Sequence, residues 1–305
     1  MKQFFKMIQF LMHADYRFVV LAERGFYKKM DDETYINRMY KAKFGVYPDL
    51  IHPKTYTEKL QWLKLHDHRP EYSKMVDKYE AKKYVSDRIG EAYIIPTLGI
   101  WDHFDKIDFE LLPNQFVLKT THDSGGVVIC KDKGSLDLKK ARRVIEKSLH
   151  SNFYLRYREW PYKNVQPRII AEQYMEDKKT RELRDYKFFC FDGKVKALFI
   201  ASDRQNKREE TKFDFFDENF VHLPFVNGHP NADVPPEKPL MFNEMKEIAE
   251  RLSSGFPHVR IDLYEVDGKV LFGEMTFCHW SGFVPFNPKK WDEIFGSWLR
   301  LPGEK

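Results

Sequence analysis

Two segments near the end of the chain alternate between apolar and polar residues and are separated by an Asp-Gly pair. Residues 259–264 and 271–277 alternate with a period of two, which predicts two strands joined by a tight turn at Asp267-Gly268. A two-residue turn would leave Asp262 and Glu274 on opposite faces. A three-residue loop with a glycine at positive φ places them opposite each other. That register also pairs the apolar residues of both strands, so the hydrophobic pattern favours it.

This carboxylate pair suggests a metal site. Two carboxylates offer hard oxygen ligands, which suit a Mg2+ ion that carries phosphates. The alternative is a surface hairpin with two solvated acids, because short motifs also match by chance.

A glycine-containing loop lies between two apolar segments within residues 115–130. The first segment ends at Lys119, and the loop contains His122, Ser124 and the pair Gly125-Gly126. Glycines let the backbone approach a polyphosphate, loop amides donate to phosphate oxygens, and Lys119 adds a positive charge. The spacing matches neither a Walker A loop nor a dinucleotide-binding motif, and an ordinary hairpin turn is the alternative.

Further elements lie on either side of this loop. The apolar run at residues 168–173 predicts a buried strand, and alternation over residues 185–202 around Asp192-Gly193 predicts a second hairpin. Helical spacing predicts helices in residues 71–88, 136–149 and 241–252. The predicted order is lysine strand, glycine loop, helix, acidic strand end, hairpin, helix and carboxylate hairpin.

This order, with these residues, resembles the ATP-grasp enzymes. It most resembles their TupA-like branch, which is associated with teichuronopeptide and other surface-polysaccharide gene clusters in bacteria. The resemblance extends from about Asn37 to about Gly296. Its branch-specific stretches are residues 58–65 (EKLQWLKL), 77–78 (DK), 116–119 (FVLK) with His122 and Ser124-Gly125, 167–172 (PRIIAE), 185–187 (DYK), 260–262 (RID) and 273–277 (GEMTF). Several independent blocks in the right order are more specific than any one block.

The resemblance implies where ATP binds. Lys78 and Lys119 match two lysines that contact its phosphates. Cofactor binding is also implied for the loop residues Ser124, Gly125 and Gly126, for an adenine-binding hinge of Glu172, Gln173, Tyr174 and Met175, and for Asp185, Lys187 and Arg204.

Metal and catalytic residues are implied in the same way. The Mg2+ ligands are Asp262, Glu274 and Thr276, where Thr276 replaces the commoner asparagine and leaves the number of metal ions open. The implied catalytic residues are Arg260, which matches an arginine that stabilises an oxyanion, together with Lys119 and His122. A lone histidine is weak evidence for base catalysis, so support of the phosphate loop is the favoured role for His122.

The implied fold is α+β. It is an ATP-grasp fold in which two α+β subdomains clasp Mg-ATP, preceded by a mostly helical N-terminal region. The expected boundaries are residues 1–90 for the helical region, 91–165 for the small subdomain with the glycine hairpin, and 166–305 for the subdomain with the hinge and the metal-binding strands.

The implied reaction is ATP-dependent ligation of a carboxylate to an amine through an acylphosphate. The expected substrates are a uronic acid of a bacterial surface polysaccharide and an amino acid or another amine. Two alternatives stay open. One is a phosphotransferase that acts on a sugar hydroxyl, and the other is a non-catalytic nucleotide-binding partner of a glycosyltransferase.

Composition limits the expected cellular compartment and the expected kinds of partner. The chain has 305 residues, a formal net charge of +5 and three scattered cysteines, a pattern that argues against a disulfide framework or a zinc site and fits a reducing cytoplasm. The charge suits acidic substrates, and the absence of a strong basic cluster argues against nucleic acid as a partner.

The first residues predict an amphipathic helix rather than a signal peptide. Peripheral contact with the membrane is one interpretation of this helix. Packing on the protein itself is favoured, because His13, Asp15 and Glu23 interrupt a basic stripe.

Overall fold

The computed structural model describes residues 2–178, 183–202 and 210–304, with side chains from residue 7 onward. The N-terminal region is mostly helical, as predicted, and its helices are α1 Lys2–Met12, α2 Ala14–Glu23, α3 Asp32–Phe44, α4 Tyr56–His66, α5 Glu71–Val76 and α6 Glu80–Ile89. A capping box begins α4, in which the Thr55 and Glu58 side chains each bond the other residue's backbone amide. Within the described residues, no helix is both long and apolar enough to cross a membrane.

The first sheet has four antiparallel strands. Its strands, in spatial order, are β1 Thr97–Trp101, β4 Ile169–Gln173, β2 Phe116–Thr120 and β3 Val127–Cys130. Helix α7, Leu138–Leu149, packs Ala141 and Ile145 against this sheet, and the short α8, Phe153–Tyr157, follows. The subdomain boundary predicted near residue 166 stays a prediction, and the four-stranded sheet extends beyond it to β4.

The second sheet has six antiparallel strands. Their spatial order is β11 Lys269–Thr276, β10 His258–Val266, β5 Asp185–Phe191, β6 Lys194–Ser202, β7 Lys212–Asp217 and β8 His222–Leu223. A two-stranded pair, β9 Val226–Asn227 and β12 Phe286–Asn287, lies apart from it. Helices α6 and α9 (Phe242–Ser253) cover one face, and α4 and α10 (Lys290–Trp298) cover the other. Burial on both faces explains why β5 is buried along its whole length. The α+β class is confirmed.

The single helix predicted for residues 71–88 is wrong, because the chain breaks it into α5 and α6. The Asp77 carboxylate accepts from the amides of Tyr79 and Glu80 at 2.8 and 3.0 Å and so caps the start of α6. The Lys78 amide then bonds the Thr121 carbonyl oxygen at 3.1 Å. The break therefore carries Lys78 to the glycine loop.

The predicted pairing of Asp262 with Glu274 is confirmed, but the predicted three-residue loop is wrong. Asp267-Gly268 forms a two-residue turn with φ of 49° and 74°. The register then shifts by one residue, so that Leu263 pairs with Phe272 while Asp262 pairs with Glu274. Gly273 is the extra residue of this bulge, and a Cβ there would lie 2.9 Å from the Asp262 carbonyl oxygen.

Candidate functional site

A row of three charged residues crosses neighbouring strands of the six-stranded sheet. Lys187 on β5 is the cross-strand neighbour of Asp262 on β10, and Asp262 is the neighbour of Glu274 on β11. The Lys187 ammonium donates to Asp262 Oδ2 and lies 3.3 Å from Asp185 Oδ1. Asp262, in the middle of the row, has no exposed surface, and Glu274 lies on the edge strand β11.

Arg260 joins the row from the adjacent position on β10. Its guanidinium holds both Asp262 oxygens, at 2.7 and 2.8 Å, and Nη2 also donates to Glu274 Oε1 at 3.2 Å and Thr276 Oγ1 at 3.0 Å. Nη1 lies 2.8 Å from His279 Nδ1. A guanidinium only donates, so His279 accepts at Nδ1 and donates from Nε2 to Asn227 Oδ1 at 2.9 Å.

The charges of this cluster stabilise one another. Burial raises the pKa of Glu274, but the positive charges of Lys187, Arg260 and Lys78 outweigh it and lower the pKa to about 2. Burial lowers the pKa of Arg260, and Asp262 more than restores it. Burial, with the charge of Arg260, holds the pKa of His279 well below its ordinary value. At neutral pH the site therefore contains ionised Arg260 and Glu274 beside a neutral imidazole.

A second charged cluster lies on the four-stranded sheet. The Glu172 carboxylate, which is 5% exposed, lies 2.7 Å from the Lys119 ammonium and 2.5 Å from the Lys82 ammonium. Burial raises the pKa of Glu172, and the two lysines lower it below its ordinary value. Lys82 was not predicted from the sequence, although it follows Lys78 by four residues.

The glycine loop is organised by Asp123. Its carboxylate accepts from Thr120 Oγ1 at 2.8 Å, Ser148 Oγ at 2.6 Å, Ser151 Oγ at 2.9 Å, and the amides of Gly125 and Gly126 at 3.0 and 3.2 Å. Burial raises the pKa of Asp123, but these hydrogen bonds lower it to about 2. The two glycine amides predicted to contact phosphate thus donate to Asp123 here, and their phosphate contact stays a prediction.

Three further residues predicted for the site are His122, Lys78 and Arg204. His122 is 4% exposed, its Nε2 donates to the Ser151 carbonyl oxygen at 3.2 Å, and burial lowers its pKa. These contacts favour support of the loop over base catalysis. Lys78 donates to the Asp123 carbonyl oxygen. Arg204 lies outside the described residues.

Two cavities meet at this site. The lysine cleft, about 380 Å3, is lined by the predicted nucleotide-binding residues Lys78, Lys119, Ser124, Glu172, Gln173, Tyr174, Met175, Asp185 and Lys187, together with apolar residues such as Ile95, Val117 and Ile129. The aromatic cavity, about 460 Å3, is lined by Phe153, Tyr157, Tyr162, Phe199, Phe213, Trp280 and Phe283, together with Glu159, Arg260, Thr276 and His279. Both cavities share Ser124, Lys187, Ala201 and Glu274. A ligand in the lysine cleft and a ligand in the aromatic cavity can therefore approach each other beside Glu274.

A constrained loop, which we call the 279–282 loop, forms part of the aromatic cavity wall. Trp280 and Ser281 adopt left-handed backbone conformations, with φ of 49° and 55°. Such conformations are costly for non-glycine residues and persist only when their surroundings fix them. Helix α4 provides that support, since Gln61 Nε2 donates to the Gly282 carbonyl oxygen at 2.9 Å and Lys64 Nζ to the Ser281 carbonyl oxygen at 2.5 Å. The Ser281 hydroxyl donates to Glu159 at 2.5 Å.

The chemistry of the donor set fits Mg2+. Two carboxylates and the Thr276 hydroxyl converge at the edge of the sheet, and hard oxygens are what this ion binds. Both Asp262 oxygens accept from Arg260, and Oδ2 also accepts from Lys187, so an ion there would compete with these cations. The Glu274 side chain, 39% exposed, is the accessible carboxylate of the pair.

Comparison with known proteins gives a family. A family model described as TupA-like ATPgrasp matches residues 58–300. No curated protein matches the chain.

Solved structures show only distant similarity. Similar chains include the D-alanine–D-alanine ligase from Bacillus anthracis, with 16% identity, a TM-score of 0.39 and coverage of 67% of this chain and 56% of that chain. The L-amino acid ligase from Bacillus licheniformis has 12% identity, a TM-score of 0.45 and coverage of 81% and 55%. The ATP-grasp ligase PsnB, complexed with minimal precursor, Mg and ADP, has 11% identity, a TM-score of 0.41 and coverage of 80% and 66%. The chain thus spans 55–66% of the length of these three chains, and similarity this distant decides nothing about the reaction.

Proposed function

Since this chain belongs to the TupA-like ATP-grasp family, and its fold is therefore the ATP-grasp fold, we propose that it is an ATP-dependent carboxylate–amine ligase. The observation that carries this proposal is the meeting of two chemically different cavities at one charged row. The lysine cleft suits a nucleotide, because its lysines face a hinge and apolar walls. The aromatic cavity suits an organic acceptor, and Glu274 and Lys187 belong to both.

The first step of the proposed reaction is phosphoryl transfer. A substrate carboxylate oxygen attacks the γ-phosphorus of ATP, the bond to the ADP oxygen breaks, and an acylphosphate forms. Lys78, Lys119 and Lys187 orient and neutralise the phosphates. Asp262 and Glu274, with Thr276 beside them, would hold Mg2+, which when bound supplies further charge neutralisation.

The second step is attack by the amine. Its nitrogen bonds the acyl carbon, the negative charge develops on the carbonyl oxygen, and the carbon–oxygen bond to phosphate then breaks. Arg260 lines the aromatic cavity and is fixed by Asp262, so its guanidinium is a preorganised donor for that oxyanion. In this proposal Arg260 is catalytic, and Lys119 acts on the phosphates.

The proposed substrates are a uronic acid of a surface polysaccharide and an amino acid or another amine. The proposed setting is the cytoplasm, with peripheral contact through α1, on which Met7, Ile8, Leu11 and Met12 are between 40% and 75% exposed. A glycosyltransferase that builds the glycan is the proposed protein partner.

The experiment is a matrix of uronic acids against amines with Mg-ATP, in which ADP release is measured. A parallel series replaces the amine with hydroxylamine, which converts an acylphosphate into a hydroxamate. We expect ADP release that depends on one carboxylate, with a hydroxamate in the parallel series and an amide in the first. A protein that yields a sugar phosphate ester and no hydroxamate is a phosphotransferase, and one without ATP turnover in the whole matrix is a non-catalytic binding protein. Either result overturns the ligase proposal.

A further inference from the structure

Glu159 is a buried carboxylate in the wall of the aromatic cavity. Its residue is 2% exposed, and within the described residues its side chain has one hydrogen bond, from Ser281 Oγ, and no ion-pair partner within 4 Å. A carboxylate in an apolar wall is costly unless a cation compensates it. The side of Glu159 that faces the cavity is where such a cation can come from.

The nearby Lys64 acts on Glu159 only through its charge, because it makes no direct ion pair or hydrogen bond with that carboxylate. Lys64 is also buried, and its ammonium donates to Gln61 Oε1 at 2.8 Å, the Ser281 carbonyl oxygen at 2.5 Å and the Tyr157 carbonyl oxygen at 3.1 Å. An ammonium has three protons to donate, so these acceptors use all of them. Lys64 therefore fixes the 279–282 loop beside Glu159 and leaves the carboxylate for another partner.

The rings around Glu159 favour an organic cation. Tyr157, Tyr162 and Trp280 line the same cavity, whereas the Phe283 ring already holds the Lys64 ammonium 4.0 Å from its centroid. Aromatic faces attract ammonium groups, and the attraction is stronger where water is excluded. A carboxylate that shares a cavity wall with such rings is thus a suitable receptor for a protonated amine.

We propose that Glu159 binds the ammonium group of the amine co-substrate and accepts its proton. This inference rests on the proposed function for its catalytic part. The ammonium transfers one proton to the Glu159 carboxylate, and the free amine attacks the acyl carbon of the acylphosphate. The carbon–oxygen bond breaks with its electron pair on phosphate, and the second amine proton passes to that phosphate.

The other acids of the cavity are less suited. Asp123 accepts from five donors, Glu274 is paired with Arg260, and Glu23 is exposed. Burial raises the pKa of Glu159 to about 7, although Lys64, Ser281 and Arg260 oppose it. Glu274, which lines the same cavity, raises this pKa further, and the titratable groups Tyr56, Tyr157, Tyr162 and Cys278 also interact with Glu159. A group with a pKa near neutral is suited to taking and releasing a proton.

The catalytic test uses Glu159→Gln with two nucleophiles. Hydroxylamine is largely unprotonated at neutral pH and needs no base, whereas an alkyl ammonium must lose a proton before it attacks. For the carboxylate that supports turnover, we expect hydroxamate formation within twofold of wild type and amide formation lowered by about 100-fold or more. Glu23→Gln, at the exposed rim, is the matched control and should keep both products. Equal loss of both products, or an unchanged amide rate, overturns the role of Glu159.

A binding test is independent of the reaction. Ethylammonium is titrated into the full-length protein while the indole N–H resonance of Trp280, assigned with Trp280→Phe, is followed by NMR. We expect a saturable shift in wild type that strengthens as the pH rises through about 7 and is lost in Glu159→Gln. An absent shift in wild type, or one retained in Glu159→Gln, overturns the proposal. If the substrate matrix shows no activity but the Glu159-dependent ethylammonium shift is present, only the ligase function is overturned.

Discussion

Asp262 and Glu274 differ in burial and in ion pairing, although both are proposed as metal ligands. Asp262 has no exposed surface and pairs with two cations, whereas the Glu274 side chain is 39% exposed. Removing one partner of a buried ion pair leaves an uncompensated charge, which is strongly destabilising. Asp262 therefore contributes to stability as well as to the proposed chemistry, and Glu274 is the cleaner probe of the metal site.

Glu274→Gln should abolish ATP turnover with little change in the unfolding midpoint. Asp262→Asn should abolish turnover and also lower the free energy of unfolding by about 3–5 kcal/mol, because Arg260 and Lys187 lose their carboxylate. The measurements are ADP release and denaturant unfolding. Asp192→Asn, at the exposed turn between β5 and β6, is the control that removes a carboxylate without effect. Wild-type turnover in Glu274→Gln would remove that residue from the metal site.

Arg260→Lys tests the oxyanion role. The planar fork, which holds both Asp262 oxygens in the wall of the aromatic cavity, is replaced by one flexible ammonium. Amide formation should fall at least about tenfold more than ADP formation coupled to hydroxamate. Equal losses in the two assays would show that Arg260 acts before the acylphosphate forms. A thermal unfolding curve of the variant distinguishes this result from a loss of activity caused by unfolding.

Single residues were predictable from the sequence where a local motif contains them. Lys119 ends a strand before glycines, and Arg260 lies two positions before Asp262, so both were found. Glu159 was missed because nothing in its own neighbourhood marks it. Its partner Ser281 lies more than a hundred residues away, and only the folded chain brings the two together.

At the level of elements, the carboxylate hairpin depends on one residue without a side chain. The two-residue turn alone would leave Asp262 and Glu274 out of register, and the bulge at Gly273 corrects the difference. A side chain there would meet the Asp262 carbonyl oxygen at 2.9 Å and the Tyr264 ring at 3.0 Å. The proposed metal site thus depends on backbone packing as much as on its ligands.

Gly273→Ala should lower the free energy of unfolding by about 1–3 kcal/mol, since the methyl group overpacks the bulge. It should also reduce ATP turnover by displacing Glu274 from Asp262. Gly268→Asn is the control, because asparagine tolerates the positive φ of this turn position. Stability and turnover equal to wild type in Gly273→Ala would show that the bulge has no part in the site.

The elements were predicted in kind but not in detail. Alternation predicted both hairpins, and the Asp-Gly pairs marked their turns. The bulge was missed because alternation along one strand does not show how closely β10 approaches Gly273, where a Cβ would lie 2.9 Å from the Asp262 carbonyl oxygen. The break between α5 and α6 was missed because Asp77 and Lys78 are compatible with helical spacing. The hydrogen bond from the Lys78 amide to Thr121, 43 residues further along, is visible only in the folded chain.

For the whole molecule, the contact between α4 and α10 makes stability depend on pH. Asp292, in the first turn of α10, is buried and accepts from the Thr57 amide at 2.8 Å and hydroxyl at 2.6 Å. Burial raises its pKa to about 6, although these bonds oppose the shift. A carboxyl group whose pKa is raised by folding binds its proton more tightly in the folded state. Its contribution to stability is therefore present at low pH and is lost as pH rises from about 4 to about 6.

Asp292→Asn should remove that contribution. Relative to wild type, the variant should gain about 2 kcal/mol in its free energy of unfolding between pH 4 and pH 7. Urea denaturation at both pH values provides the measurement, and Glu293→Gln, on the exposed side of the same turn, should follow wild type. A difference between variant and wild type that does not change with pH would contradict the raised pKa.

The architecture was predictable to the level of class and order. Family blocks spread along the chain predicted the succession of lysine strand, glycine loop and carboxylate hairpin, and the family match covers the same region. The aromatic cavity was not predictable. Its wall combines Tyr157, Phe199, Trp280 and Phe283, and no sequence pattern reveals that these distant residues surround one space.

The bracing of the 279–282 loop by α4 bears on how such a protein can change its preference over evolutionary time. Gln61 and Lys64 hold Ser281 and Gly282 from behind, without lining either cavity as described. Substitutions at those two positions of α4 would allow the loop backbone to adopt another conformation. The aromatic cavity would then change shape and accept a different acceptor. The proposed nucleotide site around Lys119 and Glu172 would remain unchanged. Acceptor specificity and the use of ATP can therefore change independently in evolution. We expect altered acceptors in paralogues that differ at positions 61 and 64.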